Sequence, residues 1–168
     1  IGKPVYQLHN HSVPLQAYFT VKIRDGLLFL PSDKMVMKRF FYINEDFKKA
    51  EPAAEENEKG WYKASFREFG NFQLMVDNEP PLITPVGFKD GMNTAKSKRI
   101  AFLVKDNTEE IKQFTALLDG KWLRFTNDKG KLFSYVFDEH CSPGEHELKI
   151  TVEDLVGNKT EKIYLFTR

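Results

Sequence analysis

The stretch Gly144-Glu-His-Glu-Leu-Lys-Ile-Thr-Val-Glu-Asp154-Leu-Val-Gly157-Asn158 decides the fold class. Leu148, Ile150 and Val152 alternate with Glu147, Lys149, Thr151 and Glu153. A period of two places one face on a core and the other in water. Gly157-Asn158 supplies a turn, because both residues tolerate left-handed backbone geometry. The residues from Lys159 to Phe166 then read as a return strand. The expectation is a hairpin of a β-sandwich, with Asp154 capping its turn.

The same signals recur upstream. Arg99 to Lys105 alternates, with Ile100, Phe102 and Val104 on one side. Glu110 to Leu118 reads as a strand or as the start of a helix. Asp119-Gly120 is a hairpin signal ahead of Lys121, Trp122 and Phe125. Asp128-Lys-Gly130 marks another turn, after which Phe133, Tyr135 and Phe137 face opposite to Leu132, Ser134 and Val136. About seven short strands separated by turns over residues 82–168 predict an immunoglobulin-like sandwich for the module at 77–168.

Residues 1–76 predict a second, N-terminal β-sandwich-like module. Ala17, Phe19, Val21 and Ile23 share a face, and Asp25-Gly26 closes that strand. Leu27 to Leu30 is a short apolar segment. Lys34 to Ile43 is a strand dense in Met35, Met37, Phe40 and Phe41, read as packing. Residues 44–60 carry much charge and Pro52, and predict a mobile charged loop open to proteases. Trp61 to Arg67 and Phe72 to Val76 return to strand character. Pro80-Pro81 predicts the boundary, since two prolines interrupt any ladder, and Leu82 and Ile83 would open the next sandwich as an edge strand. The chain is thus predicted to be all-β, two tandem modules at 1–76 and 77–168.

Composition excludes several functions. The 168 residues carry 25 basic and 24 acidic side chains, and the formal charge is +1. The first 76 residues hold 11 basic and 9 acidic residues, far from the positive field of a nucleic-acid partner. One cysteine, Cys141, permits no internal disulfide, which leaves the compartment open. No apolar run approaches the roughly 20 residues that span a bilayer. The opening Ile1-Gly-Lys-Pro4 reads as a trimmed or processed start.

His9 and His11 would share a strand face, but zinc wants about three protein ligands and none follows at ligand spacing. His140 and Cys141 are adjacent and would point apart on a strand, which argues against a nucleophilic pair. His146 reads as a strand-end packing residue. Asp77, Glu79, Asp106 and Asp154 fall at strand ends, where capping competes with a calcium site. No metal, cofactor or catalytic residue is therefore predicted. Trp61, Tyr62 and Trp122 form the candidate aromatic ligand platform. Trp122 itself is expected in the core, beside the turn that leads into its strand.

One pattern carries a resemblance. Asp77-x-x-Pro-Pro-x-Ile83, Leu118-Asp-Gly-Lys-Trp122, Tyr135-x-Phe-Asp138, Gly144-x-His146 and Val152-x-Asp-x-x-Gly-Asn158 together resemble the C-terminal, non-catalytic region of lysostaphin-like zinc peptidases from Bacteroidetes. Val13-Pro-Leu15 and Gly70-Asn-Phe-x-Leu-Met-Val-Asp77 extend it weakly through residues 1–76. The resemblance implies an exported accessory region in the periplasm or cell envelope. Its partners would be an upstream catalytic domain of the same polypeptide and peptidoglycan or an envelope protein. Family zinc ligands form a His-x-x-x-Asp pair and a later His-x-His. His9-Asn-His11 has only the outline of the second, and neither His nor Asp precedes it, so the chain is expected to be inert. The competing expectation is a stand-alone glycan- or protein-binding adhesin-like module.

Overall fold

Alternation is what the folded chain uses throughout. The computed structural model describes residues 4–26, 32–42 and 48–168, and among them the only helical element is a 3-10 turn at Ser32–Lys34. Two compact units emerge. One contains Ile1–Asn78 with Leu155–Gly157, the other Glu79–Asp154 with Asn158–Arg168. The three residues at the tip of the last hairpin thus group with the first unit, which no boundary read from composition anticipates.

Among its described residues the first unit has seven strands: β1 Tyr6–Leu8, β2 Pro14–Arg24, β3 Met35–Phe40, β4 Lys49–Pro52, β5 Ala54–Glu55, β6 Trp61–Glu68 and β7 Gly70–Val76. They form two sheets, ordered β1-β7-β3-β4 and β2-β6-β5. Val21, Ile23, Tyr62, Ala64 and Phe66 from one sheet meet Met35, Met37, Phe72 and Leu74 from the other in one core. Phe66 and Phe72 pack edge to face with centroids 4.9 Å apart, an arrangement the ring quadrupoles favour.

Residues 49–55 differ from the loop expected at 44–60. Lys49–Pro52 and Ala54–Glu55 are strands, paired to β3 and β6. The buried positions here are small: Ala50 and Ala53 are both almost wholly removed from solvent. Pro52 is tolerated because β4 is the edge of its sheet, where a missing donor costs no ladder bond. The charge is used locally, with Glu56 3.3 Å from Lys22 Nζ and 3.0 Å from Lys63 Nζ. Residues 44–47, and the apolar segment Leu27 to Leu30, lie outside the described residues.

The second unit has nine strands: β8 Leu82–Val86, β9 Met92–Asn93, β10 Arg99–Lys105, β11 Ile111–Leu118, β12 Lys121–Trp122, β13 Thr126–Asp128, β14 Leu132–Val136, β15 Glu145–Asp154 and β16 Lys159–Thr167. The sheets run β13-β14-β10-β8 and β12-β11-β15-β16-β9. Ile83, Ile100, Phe102, Val104, Phe133 and Tyr135 face Ala116, Leu118, Leu148, Ile150, Val152 and Phe166 across one core. Each unit is therefore a sandwich-like pair of sheets, and the chain is all-β. Residues 111–118 resolve as strand rather than helix, because β15 offers an antiparallel partner from Ile111↔Asp154 to Leu118↔Leu148, with one register shift between Ile111 and Gln113. Leu82 and Ile83 do open an edge strand, paired to β10.

Turn chemistry sets the registers. Asp119 and Gly120 both have positive φ, 50° and 78°, as a two-residue type I′ hairpin turn requires. Asp154 caps the β15–β16 turn by accepting from the Asn158 backbone N–H at 2.8 Å and from Asn158 Nδ2 at 2.7 Å.

Candidate functional site

The two-residue turn at Asp119-Gly120 places Leu118 opposite Lys121 and Leu117 opposite Trp122. Residues paired directly across a ladder share a face, and faces alternate along each strand. Ala116 and Leu118 point into the core, so Leu117 and Trp122 point out. Trp122 is 68% exposed, which corrects the expectation that it fills the core. Leu123, one residue on, takes the inward position and is buried.

The outward row continues across three more strands: Trp122, Leu117, Lys149, Ile163. Leu165 lies two residues along β16 on the same face and, like Ile163, is more than half exposed. The rest of this face is polar and engaged with itself. Lys149 Nζ sits 2.8 Å from Glu161, while Glu153 holds Lys112 at 2.6 Å and Lys159 at 3.1 Å. Glu153 is held below the usual carboxylate range, first by its hydrogen bonds to Lys112 and Lys159. An aliphatic and indole strip thus borders a field of satisfied ion pairs.

The other members of the sequence-derived platform lie elsewhere. Tyr62 is buried in the core of the first unit and cannot present a ring to a ligand. Trp61 is half-buried in β6 of that unit.

His146 makes an arrangement that residue spacing does not reveal. It is buried, with Nδ1 2.6 Å from Asp119 Oδ2 and Nε2 2.6 Å from the Ser142 carbonyl. Both partners are acceptors, so the ring satisfies both only as the doubly protonated imidazolium. Burial alone would depress its pKa. The Ser142 carbonyl and the Asp119 carboxylate outweigh that and hold it above the usual histidine value. For Asp119, burial pushes upward, but the Glu147 N–H and His146 prevail and lower it. The cation pins the β11–β12 turn to the segment before β15. Twenty-seven residues separate the pair, and only the hairpin register brings them together.

His140 and Cys141 do not form a nucleophile. His140 Nδ1 lies 3.1 Å from Asp138, and burial raises the thiol of Cys141. Tyr135 Oη donates to Asp138, and burial followed by that bond raises the phenol.

His9 and His11 are not on a strand face. Strand β1 ends at Leu8, and His9 takes φ 58° to begin a turn. Its Nδ1 accepts from the Asn10 N–H at 2.8 Å, and its ring tilts against Phe69. His11 stacks on Phe41 at 4.9 Å and meets Tyr42 edge-on at 5.0 Å. These residues line a cleft of about 400 Å³ together with Gln7, Asn10 and Asn71.

Residues 3–77 match the family described as Zu5-like domain, a little under half of the chain. No curated protein matches the chain. Two similar solved structures are an endo-beta-1,4-mannanase from Thermotoga petrophila and the fibronectin(III)-like modules of Clostridium thermocellum CbhA. The first has 15% identity and a TM-score of 0.45, covering 54% of this chain and 20% of its own length. The second has 11% identity and a TM-score of 0.34, covering 51% of this chain and 94% of its own. Both scores are too low to bear on the argument.

The Zu5-like N-terminal segment overturns the resemblance to the lysostaphin-like peptidase tail. The residues that carried that resemblance have other reasons to be there. Leu118 to Trp122 is a hairpin turn, Asp154 to Asn158 a capped hairpin turn, and Pro80-Pro81 the lead into an edge strand. Any sandwich with these turns draws on the same residue types.

Proposed function

We propose that the chain is a non-catalytic binding module that holds a polypeptide partner against the outer face of the β12-β11-β15-β16-β9 sheet. The carrying observation is Trp122, 68% exposed, with Leu117 beside it and Ile163 and Leu165 farther along the same face, on β16. Exposed tryptophan flanked by aliphatic residues is the composition of an interface hot spot. A polypeptide is favoured over a glycan on this face. Aliphatic neighbours bury well against apolar side chains but offer nothing to hydroxyl groups. Lys149, which stands between Leu117 and Ile163 on this face, is already paired with Glu161. A Zu5-like N-terminal segment fits an accessory role, and two sheets over one core, antiparallel except for the short β9–β16 pair, support reading residues 77–168 as immunoglobulin-like.

Photo-crosslinking tests this. A photoreactive residue replacing Lys121 in the full chain, expressed in its native host, should capture one polypeptide, identified by mass spectrometry of the linked peptide. Trp122→Ala should abolish that adduct. No adduct, or one that survives Trp122→Ala, would remove the outer face from consideration.

A further inference from the structure

We infer that the partner of the Trp122 face brings a lysine or arginine into an acidic groove at the Leu165 end of that face, an inference that rests on the docking reading above. The groove, about 410 Å³, is bordered by Gly91, Glu145, His146, Glu147 and Leu165. Strand register builds it. Glu147 pairs with Leu165, and Glu145 with Thr167, across the β15–β16 ladder. Both glutamates are exposed, and His146 between them turns inward. Their carboxylates therefore stand on the same outer face, roughly 7 Å apart along the strand. On the other side of Leu165, Asp90 accepts from the Leu165 N–H at 2.7 Å. Leu165, 55% exposed, thus lies between acidic residues.

Charge balance on the face selects the ligand. Glu161 is matched by Lys149, and Glu153 by Lys112 and Lys159. Among the described residues, Asp90, Glu145 and Glu147 make no ion pair. His146 borders the groove, but Asp119 matches its charge. Negative charge is therefore left over at one end of an apolar strip. A phosphate or an acidic segment is repelled there. A metal ion needs converging ligands, and among the described residues these three carboxylates do not all come within 4.8 Å of one another. An uncharged partner would strip water from them and give nothing in return. A lysine or arginine meets both demands, because its methylene stem lies on Leu165 while its head reaches the carboxylates. Neighbouring strands stand about 4.8 Å apart, so Trp122 on β12 and Ile163 on β16 are separated by roughly 14 Å. About five residues of extended chain cover that span. The partner segment is therefore short and amphipathic, with apolar residues toward Trp122 and Leu117 and its cation toward Leu165.

The test is a backbone-amide NMR titration of the full chain with the probe peptide acetyl-Leu-Thr-Leu-Thr-Leu-Arg-amide and its counterparts ending in Glu or Leu. The Arg peptide should saturably shift the amides of Leu117, Trp122, Glu147 and Leu165, and should bind at least about tenfold more tightly than the Glu peptide. Glu145→Gln combined with Glu147→Gln, at exposed positions that do not threaten folding, should weaken the Arg peptide about fivefold or more and leave the Leu peptide unchanged. Trp122→Ala reads the docking face separately and should weaken the Arg and Leu peptides alike. The inference is overturned if the Arg and Glu peptides bind equally, or if the double glutamine variant keeps full affinity for the Arg peptide. In either case a loss on Trp122→Ala leaves the docking face standing as a purely apolar contact. The inference is equally overturned if no peptide shifts these amides, and the photo-crosslink then judges the docking face by itself.

Discussion

Two tryptophan and leucine positions one residue apart show how a single turn allocates side chains. Trp122 points to water and Leu123 to the core because Asp119-Gly120 takes two residues and no more. Trp122→Ala should therefore change unfolding free energy by less than about 1 kcal/mol, the range of surface positions. Leu148→Ala, at a fully buried site, should cost about 2 to 5 kcal/mol through lost transfer energy and a cavity. Chemical denaturation of both variants against the parent checks the contrast. A large loss for Trp122→Ala would mean that the ring is covered in the folded protein.

His146 yields a pH dependence at the same scale. Its pKa in the folded protein is raised, so its contribution is fully present below the ordinary histidine value of about 6.5 and is lost as pH rises through the folded value. Asp119, lowered in the folded protein, contributes above the ordinary carboxylate range and loses that as acid protonates it. The pair is therefore strongest between roughly pH 4 and 6.5. The melting temperature should fall from pH 6 to pH 9 in the parent, and His146→Gln should flatten that fall. An equal slope in both proteins would show that the ring is not the titrating group.

At the scale of the element, β7 begins with a glycine for a steric reason. A Cβ on Gly70, at φ +152°, would stand 2.5 Å from the Phe40 carbonyl oxygen, which is backbone and cannot swing aside. Gly70→Ala should cost at least about 1 kcal/mol and weaken the β3–β7 pairing, read as faster amide exchange at Arg39 and Phe72. Elements with clean alternation, such as β10 and β15, were legible from sequence because burial on one face writes a period of two. The Asp119-Gly120 turn was legible as well, but its consequence for Trp122 was not: parity across a hairpin must be counted from the turn outward, and aromatic character alone points the wrong way. Strands β4 and β5 were hidden by their charge, since short edge strands bury only Ala50 and Ala53 and leave the rest to ion pairs. The turn at His9 escapes the sequence pattern for a related reason. Period-two reasoning assumes the strand continues, and β1 stops at Leu8. The candidate cleft was half legible: the histidine pair stood out, whereas the buried amide of Asn71 is visible only once β1, β3 and β7 lie side by side.

At the scale of the molecule, the described residues form two clusters of buried apolar side chains. One is built around Phe66 and Phe72, the other around Phe102, Leu148 and Ile150. Each sandwich-like unit has its own core, the usual condition for a unit that opens on its own. Phe66→Ala and Ile150→Ala probe this independence, since both side chains are almost wholly removed from solvent. Native-state hydrogen exchange on the full chain should show Phe66→Ala lowering protection in β2, β3, β6 and β7 while β10, β11 and β15 keep theirs. Ile150→Ala should do the reverse. The tip residues Leu155–Gly157, which group with the first unit although flanked by strands of the second, are the informative exception. If their protection follows Phe66→Ala, the tip belongs to the first unit in stability as well as in its grouping. If both substitutions lower protection evenly across all strands, the chain unfolds as one cooperative body and the division into units does not govern its stability.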